Sequence, residues 1–512
     1  MALQESLVDL RAVVEALRSE NGVLRTANSL LRMESDNLRA QLAELVDRNR
    51  SLETRIGDLE ARLRSNSSNS SKPPSSDGYA KPSPKSRRRR SGRKPGKQPG
   101  APGQHLAQVA DPDVVVIHSP ERCSSCGGDL ASAPVSDVVR RQVFDLPPIT
   151  LVSTEHVVER RRCQCGTETA AEFPAEATAP ACYGPDLRAH VDYFAVRQHI
   201  PVARVAELLR DVFGAPVSTG AVVAMVREGA GRLETVLATI RDRLAGSDVV
   251  HVDESGLRVQ ASLKWVHSTS TDTLTLYHLD QHRGTAAMEA MGVLEHLTGV
   301  LVHDGWVPYR QYTNVTHALC NAHHARELEA AVETGSQPWA SDMLTLLSNT
   351  WQLVLAATAA GQSELSDEEL EHLKAAYRMI ISAGQAANPP PPPTGRTGRP
   401  KRSKAANLLS RLDIYEDDVL RFAHDFRVSF DSNQAERDIR MVKVQQKISG
   451  GFRTLEGARS WLALRSYLST AAKNGVNILD ALQRLCAGDP WTLGSWCLSV
   501  GEVARGGVGS GE

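Results

Sequence analysis

Residues 428–454, VSFDSNQAERDIRMVKVQQKISGGFRT, combine a carboxylate and several cations at a spacing that can do chemistry. Read as a helix from Asn433 at about 100° per residue, Ala435, Ile439 and Val442 share one face and can bury against a sheet. Glu436, Arg440, Lys443 and Lys447 share the neighbouring face, with Arg437 and Arg453 nearby. An acid followed by cations down one stripe suits a metal ligand beside a phosphate backbone. The plainer reading is that Glu436 closes a capping box with Asn433 and that the cations are a solvated face. Two aspartates upstream favour the first reading. DVVHVDESGLRV is a β-branched apolar run carrying Asp253, and GVLVHDGW is a second buried strand that ends on Asp304. Glu254 adjoins Asp253, but strand alternation points it to the opposite face and makes it the weaker ligand candidate.

Cysteines form a second chemical set. Cys123-x-x-Cys126 is followed by Cys163-x-Cys165 across a spacer of alternating, strand-like residues. Two cysteine pairs on facing turns supply the four soft, tetrahedral ligands that zinc prefers. Gly127 and Gly128 fit the tight knuckle that lets backbone amides approach thiolates, and Arg160, Arg161 and Arg162 make nucleic acid a natural partner. Cys182, Cys320, Cys486 and Cys497 are isolated and read as core or inert. In HALCNAHHARELE, Cys320, His323 and His324 could ligate a metal; orienting the acids or touching substrate is the preferred role.

These groups need elements to hold them. SLKWVHSTST and TLTLYHLD follow the Asp253 strand at hairpin-like spacing, and a helix from Gly284 to about Glu295 leads into the Asp304 strand. Three strands, a helix and a fourth strand, with acids on the first and fourth, form the skeleton of a ribonuclease-H-like domain. In that fold the first and fourth strands are neighbours, so Asp253 and Asp304 can share divalent metals. Upstream, VARVAELLRDVFGAPVSTGAVVAMVREGA reads as helix, turn at Gly214, then a second helix capped by Ser218 or Thr219, the outline of a helix-turn-helix. Any αα-hairpin gives a similar pattern. Residues 330–427 read as a helical insertion separating Asp304 from Glu436, and a long helix runs from Glu456 to about Lys473.

With 512 residues the chain has room for roughly two to four domains. Its net charge of -1 conceals strong segregation. Within residues 65–104, Arg87, Arg88, Arg89, Arg90, Arg93, Lys94 and Lys97 face one acid, Asp77, in a Ser/Pro/Gly background. Such a tract cannot bury enough apolar surface to fold alone, and it can bind phosphates without reading sequence. Ahead of it, leucine recurs at every seventh position from Leu3 to Leu59, with asparagines at several of the alternate seam positions. That pattern predicts a parallel, in-register coiled coil, because buried asparagines pair best with each other. Eight cysteines in so long a chain do not make a disulfide framework. With no signal-like apolar core and no long apolar run, the expectation is a soluble, cytoplasmic protein with no membrane partner.

Taken together the chain resembles the transposases of the insertion-sequence-66 family over nearly its whole length. The resemblance rests on the zipper, the linker SNSSNSSKPPSSD, the cysteine-pair module, HVDESG around Asp253, HDGWVPY around Asp304, HALCNAHHAREL, and FDSNQAERDIRMVKVQQKISGGFRT around Glu436. Ser432 departs from it slightly, standing where a second asparagine is expected. The resemblance implies a catalytic triad of Asp253, Asp304 and Glu436 on a two-metal Mg²⁺ (or Mn²⁺) site. It further implies a structural Zn²⁺ on Cys123, Cys126, Cys163 and Cys165, and DNA ends and target DNA as partners. A homodimer or higher oligomer through the coil and companion proteins from the same element are also expected. The expected organisation is a multidomain α+β chain: coiled coil 1–64, basic linker 65–104, zinc module 105–183, helix-turn-helix-like region 184–246, catalytic domain 247–329 and 428–500, insertion 330–427, tail 501–512. A DNA-binding regulator, or a non-transposing nuclease on the same fold, is the alternative.

Overall fold

The structure is a computed structural model that describes residues 2–64, 106–147, 149–335, 337–390 and 402–494. The expected basic tract with Arg87–Lys94, the tail and Cys497 lie outside the described residues. The chain divides into two units, Met1–Lys85 with Ala318–Asp431, and Ser86–His317 with Ser432–Glu512.

The leucine heptads lie on one unbroken helix, α1 (Ala2–Arg64). Leu10, Leu17, Leu24, Leu31, Leu38, Leu45, Leu52 and Leu59 are 49–65% exposed along it. A seam of that length in water is what pairing with another helix would remove.

From residue 106 the chain is largely irregular until the short hairpin of β1 (Arg160–Arg162) and β2 (Glu168–Ala170). Four helices follow: α2 (Pro185–Asp192), α3 (Val202–Phe213), α4 (Thr219–Gly231) and α5 (Glu234–Ala245). The α3–α4 turn is built as its residues predict. Gly214 adopts a left-handed φ of 63° that closes α3, and the Ser218 side chain accepts the Ala221 amide at 3.1 Å to open α4.

The central sheet comprises β3 (Val249–Val259), β4 (Ser262–Ser270), β5 (Thr275–Asp280), β6 (Val300–His303) and β7 (Thr316–Leu319), with α6 (Thr285–Met291) between β5 and β6. The strand order is β5-β4-β3-β6-β7. β3, β4 and β5 form an antiparallel meander, and β6 lies parallel to β3 with Val249 opposite Val300. α6 is shorter than expected, ending at Gly292 with φ +71°. The strand at Thr316–Leu319 was not foreseen, because its THAL sequence reads as the start of the following helix.

That helix, α7 (Asn321–Gly335), belongs with α8 (Pro338–Ala359), α9 (Asp367–Ala387), α10 (Lys404–Ile414) and the short α11 (Glu416–Val419) and α12 (Arg421–His424). α9 starts on a full capping box between Ser366 and Glu369. Leu347, Tyr377, Leu412 and Phe422 are buried in this unit, and the Tyr377 hydroxyl donates to the Leu412 carbonyl at 2.9 Å.

The chain then enters α13 (Asn433–Ser449), α14 (Leu455–Lys473) and α15 (Ile478–Ala487). α13 packs on β3 and β4 through Ala435, Ile439 and Val442, the face that periodicity assigns to burial. α14 packs on β5 and also on α4. Its hydroxyls close the edge of the sheet: Thr470 Oγ1 accepts the Thr275 amide at 3.1 Å and Ser466 Oγ the Tyr277 amide at 3.0 Å. Backbone donors that an edge strand would leave open are thereby satisfied. Between α13 and α14, Gly450 (φ +77°) ends the helix and Phe452 pairs with the end of β3. A side chain on Gly451 would come within 2.9 Å of the Arg258 carbonyl, so the second glycine is needed for close approach.

Candidate active site

Asp253 lies in the middle of β3, and Asp304 follows β6 directly. Because β3 and β6 are adjacent and parallel, two aspartates far apart in sequence come to neighbouring strands. Each is oriented by local hydrogen bonds. The Glu254 amide donates to Asp253 Oδ1 and the Trp306 amide to Asp304 Oδ1, both at 2.8 Å. A run of imidazoles braces the turn at Asp304. Gly305 N–H donates to His303 Nδ1 at 3.1 Å, and His303 Nε2 meets His317 Nδ1 at 3.1 Å.

Glu436 is placed by α13, which is pinned to the sheet at two heights. Before it, Ser432 Oγ meets His251 Nδ1 at 3.0 Å, two residues ahead of Asp253 on β3. Burial pushes the His251 pKa down to about 4, so the ring is neutral there. After it, Asp438 forms a buried ion pair with Lys473 of α14 at 2.7 Å and accepts from the Thr275 hydroxyl. The capping box of the plainer reading, between Asn433 and Glu436, does not form. Ser432 is the N-cap residue, which makes Ala435 and not Glu436 the third helical residue, and the cap has no side-chain bond.

Asp253 is partly buried, and desolvation followed by the charges of Glu254, Asp304 and Glu436 raises its pKa well above the usual carboxylate range. Several carboxylates sharing one region destabilise each other's charge, the condition that a divalent cation relieves. Among the described residues, no three of them close on one point as a finished cage. The oxygen-only donor set fits Mg²⁺, which keeps much of its water and is commonly held by one or two carboxylates plus substrate phosphates.

Glu254 is bound by other side chains, although Asp253 and Asp304 still feel its charge. Tyr309 Oη donates to its Oε2 at 2.7 Å, and Arg283 donates to Oε1 through Nε at 2.9 Å and through Nη2. Sequence reasoning passed over Arg283. The available signal was Glu254 itself, since a buried carboxylate needs a cation.

The helix cations divide. Arg440 and Lys447 are exposed, as are Arg437 and Arg453, and Arg440 lies 3.9 Å from Glu436. Lys443, expected on the phosphate-facing stripe, is instead half-buried and donates to the Gly256 carbonyl, and burial lowers its pKa. Cys320 and His324 are buried within the helical unit, where His324 Nδ1 meets Asn321 Oδ1 at 3.2 Å. Burial pushes the His324 pKa well below its usual value, and the Asn321 amide nitrogen donates to the Val419 carbonyl. Those contacts are the unit's own core.

The cysteines sit on two knuckles. The Cys123 amide donates to Gly128 O at 2.8 Å and the Gly127 amide to Cys123 O at 3.0 Å; Cys163 repeats the pattern with Thr167 O and Gly166 N–H. Gly127 and Gly166 both take positive φ, which these turns require. Hydrogen bonds from the Cys126 and Ser125 amides lower the Cys123 pKa, and the Thr167 side chain and amide bring Cys165 down to about 7. Thiolate-favouring turns fit zinc. Among the described residues, each pair forms a half-site and the two halves do not meet in one cluster. Cys486 is buried as expected, whereas Cys182 is exposed.

The fold and site define a mixed-sheet α/β protein with a carboxylate centre, preceded by a two-knuckle cysteine module. The model of the transposase IS66 family matches residues 180–460, and the chain belongs to that family. The zinc-finger binding domain of transposase IS66 matches residues 120–166, and a family of unknown function matches residues 26–107. An uncharacterized protein, y4qI, of Sinorhizobium fredii (strain NBRC 101917 / NGR234) is 27% identical over 232 residues, 41% of this chain and 39% of its own length. The chain thus spans well under half of that relative. Among the described residues, no helix is long and apolar enough to cross a membrane.

Proposed function

We propose that the protein is a DDE-type DNA transposase that cuts the ends of its insertion sequence and joins them to target DNA. In this reading residues 247–329 and 428–500 form a ribonuclease-H-like catalytic domain, with Asp253, Asp304 and Glu436 as the acids. The observation that carries it is the adjacency of β3 and β6, which brings Asp253 and Asp304 to neighbouring strands under the helix of Glu436. Bound Mg²⁺ or Mn²⁺ would activate water or a 3′-hydroxyl for in-line attack and stabilise the leaving oxygen. The protein's own part is positional. Glu254 N–H and Trp306 N–H aim the two aspartates, and the Ser432–His251 and Asp438–Lys473 contacts fix the height and rotation of α13. Arg440 and Lys447 would hold flanking phosphates from the outer face of that helix.

Cys123, Cys126, Cys163 and Cys165 would close around one Zn²⁺ to give a rigid DNA-reading module, with α3 and α4 acting as a helix-turn-helix. α1 would pair in parallel with another copy, because two ends must be held together before joining. A regulator with the same modules would not need acids so placed. The test is a Mg²⁺-dependent strand-transfer reaction with labelled element ends, run beside Asp304→Ala. Joined products that disappear in the variant support the reading. Specific end binding with no cutting by the wild type, even with neighbouring gene products added, would replace it with a regulator.

A further inference from the structure

We propose that Arg283 is a DNA phosphate contact beside the acids, held ready by Glu254, Tyr309 and two indole rings. The inference rests on the reading of the chain as a DNA-processing enzyme, and it concerns residues that reading leaves without a role. Arg283 stands on the turn between β5 and α6, where an arginine would ordinarily sample many rotamers in water. Here it is fixed from three sides. Its Nε and Nη2 bind Glu254 Oε1. Its Cζ lies 4.1 Å from the Trp306 ring centroid and 5.1 Å from that of Trp265. Tyr309 takes the other oxygen of Glu254.

The anchor is hidden and the cation is not. The Glu254 side chain is 2% exposed and that of Arg283 is 34% exposed. Both carboxylate oxygens are engaged, Oε1 by two donors of Arg283 and Oε2 by Tyr309, so the carboxylate's first task here is to hold the clasp. Nη1 is the guanidinium nitrogen that keeps no hydrogen-bond partner among the described residues. Trp306 ties the clasp to the site, since its amide binds Asp304 Oδ1 while its ring carries Arg283. A guanidinium ordered in advance, with one edge open next to an active-site aspartate, matches a phosphate oxygen of the strand being cut. Glu254 and Tyr309 are then positioning residues that act through Arg283.

The test measures binding of the full-length protein to a labelled duplex from the DNA flanking its own gene, in Ca²⁺, over a range of salt concentrations. Arg283→Ala is expected to flatten the slope of log affinity against log salt by about 0.9, the worth of one duplex phosphate contact, and Arg283→Lys to keep it. Glu254→Gln and Tyr309→Phe should keep the slope yet weaken binding several-fold by loosening the clasp. Circular dichroism melting checks that each variant folds; if Arg283→Ala does not, Arg283→Gln takes its place. A wild-type slope in the charge-removing variant overturns the contact and leaves Arg283 as a neutraliser of Glu254. The two readings fail separately. A wild type that cuts DNA while the slope stays put loses only the contact, and one that never cuts while the slope falls loses only the enzyme.

Discussion

Two stretches of similar β-branched composition end in opposite circumstances. In β3, Val250, Val252 and Leu257 are at most 5% exposed, whereas Val114, Val115, Val116, Ile117, Val139 and Val143 ahead of the second knuckle are 68–92% exposed. The sheet has α13 and α14 packed on it, so each apolar residue removes surface from water. The cysteine module has no such cover among its described residues, and its order lies in the knuckle hydrogen bonds. Burial therefore holds one region together, and in the proposed reading a bound metal holds the other. In small modules of this kind the metal supplies most of the folding free energy.

The largest effect expected from breaking that contrast is chemical. Asp253→Asn should leave the sheet folded, because its core lies elsewhere, while strand joining falls on the order of 10³-fold, equivalent to about 4 kcal/mol of lost transition-state stabilisation. A time course of joined product, with circular dichroism as the folding control, would check it.

Next in size is the response to chelation. Removing zinc, or replacing Cys123 and Cys163 by serine, should erase amide protection over residues 106–183 and leave β3, β4 and β6 protected. Hydrogen exchange reads both regions in one experiment. Equal loss in both would mean that the module is part of the sheet's cooperative unit.

A smaller effect has a definite sign with pH. The folded-state pKa of Asp253 is raised above the ordinary aspartate value of 3.8, so the native state binds this proton more tightly than the unfolded state. Stability of the metal-free protein should then fall as pH rises from about 3.8 through the raised value. Asp253→Asn removes that loss, and at neutral pH its melting temperature should exceed that of the metal-free wild type by about 2–4 °C for each kcal/mol relieved. Added Mg²⁺ should narrow the difference.

The smallest effect separates two lysines of one helix. Lys447→Ala should flatten the salt dependence of DNA binding by about 0.9 and leave melting unchanged. Lys443→Ala should do the reverse, costing about 1 kcal/mol of stability through the lost bond to the Gly256 carbonyl.

What was legible in the chain followed from periodicity and spacing. The start of α13 at Asn433, the caps of the α3–α4 turn and the extent of α14 rest on contacts within a few residues, and the buried face of α13 on its helical period, so local sequence carries them. Family membership was legible for a similar reason, because its motifs are short and contiguous. β7 was missed because four residues leading into a helix carry no period, and only pairing beside β6 makes them a strand.

Sequence by itself determined which residues can do chemistry here: paired cysteines, buried-strand aspartates and an acid on a basic helix. Tertiary structure decided which of them do it together. It spent Lys443 on a backbone carbonyl and kept Arg440 and Lys447 outward, although all three occupy one stripe. It drew Arg283 to Glu254 across 29 positions of chain, and set Asp253 next to Asp304 through the parallel pairing of β3 with β6. Local pattern records which way a side chain points from its own element. The group waiting there belongs to a distant part of the chain, and only folding brings it within range.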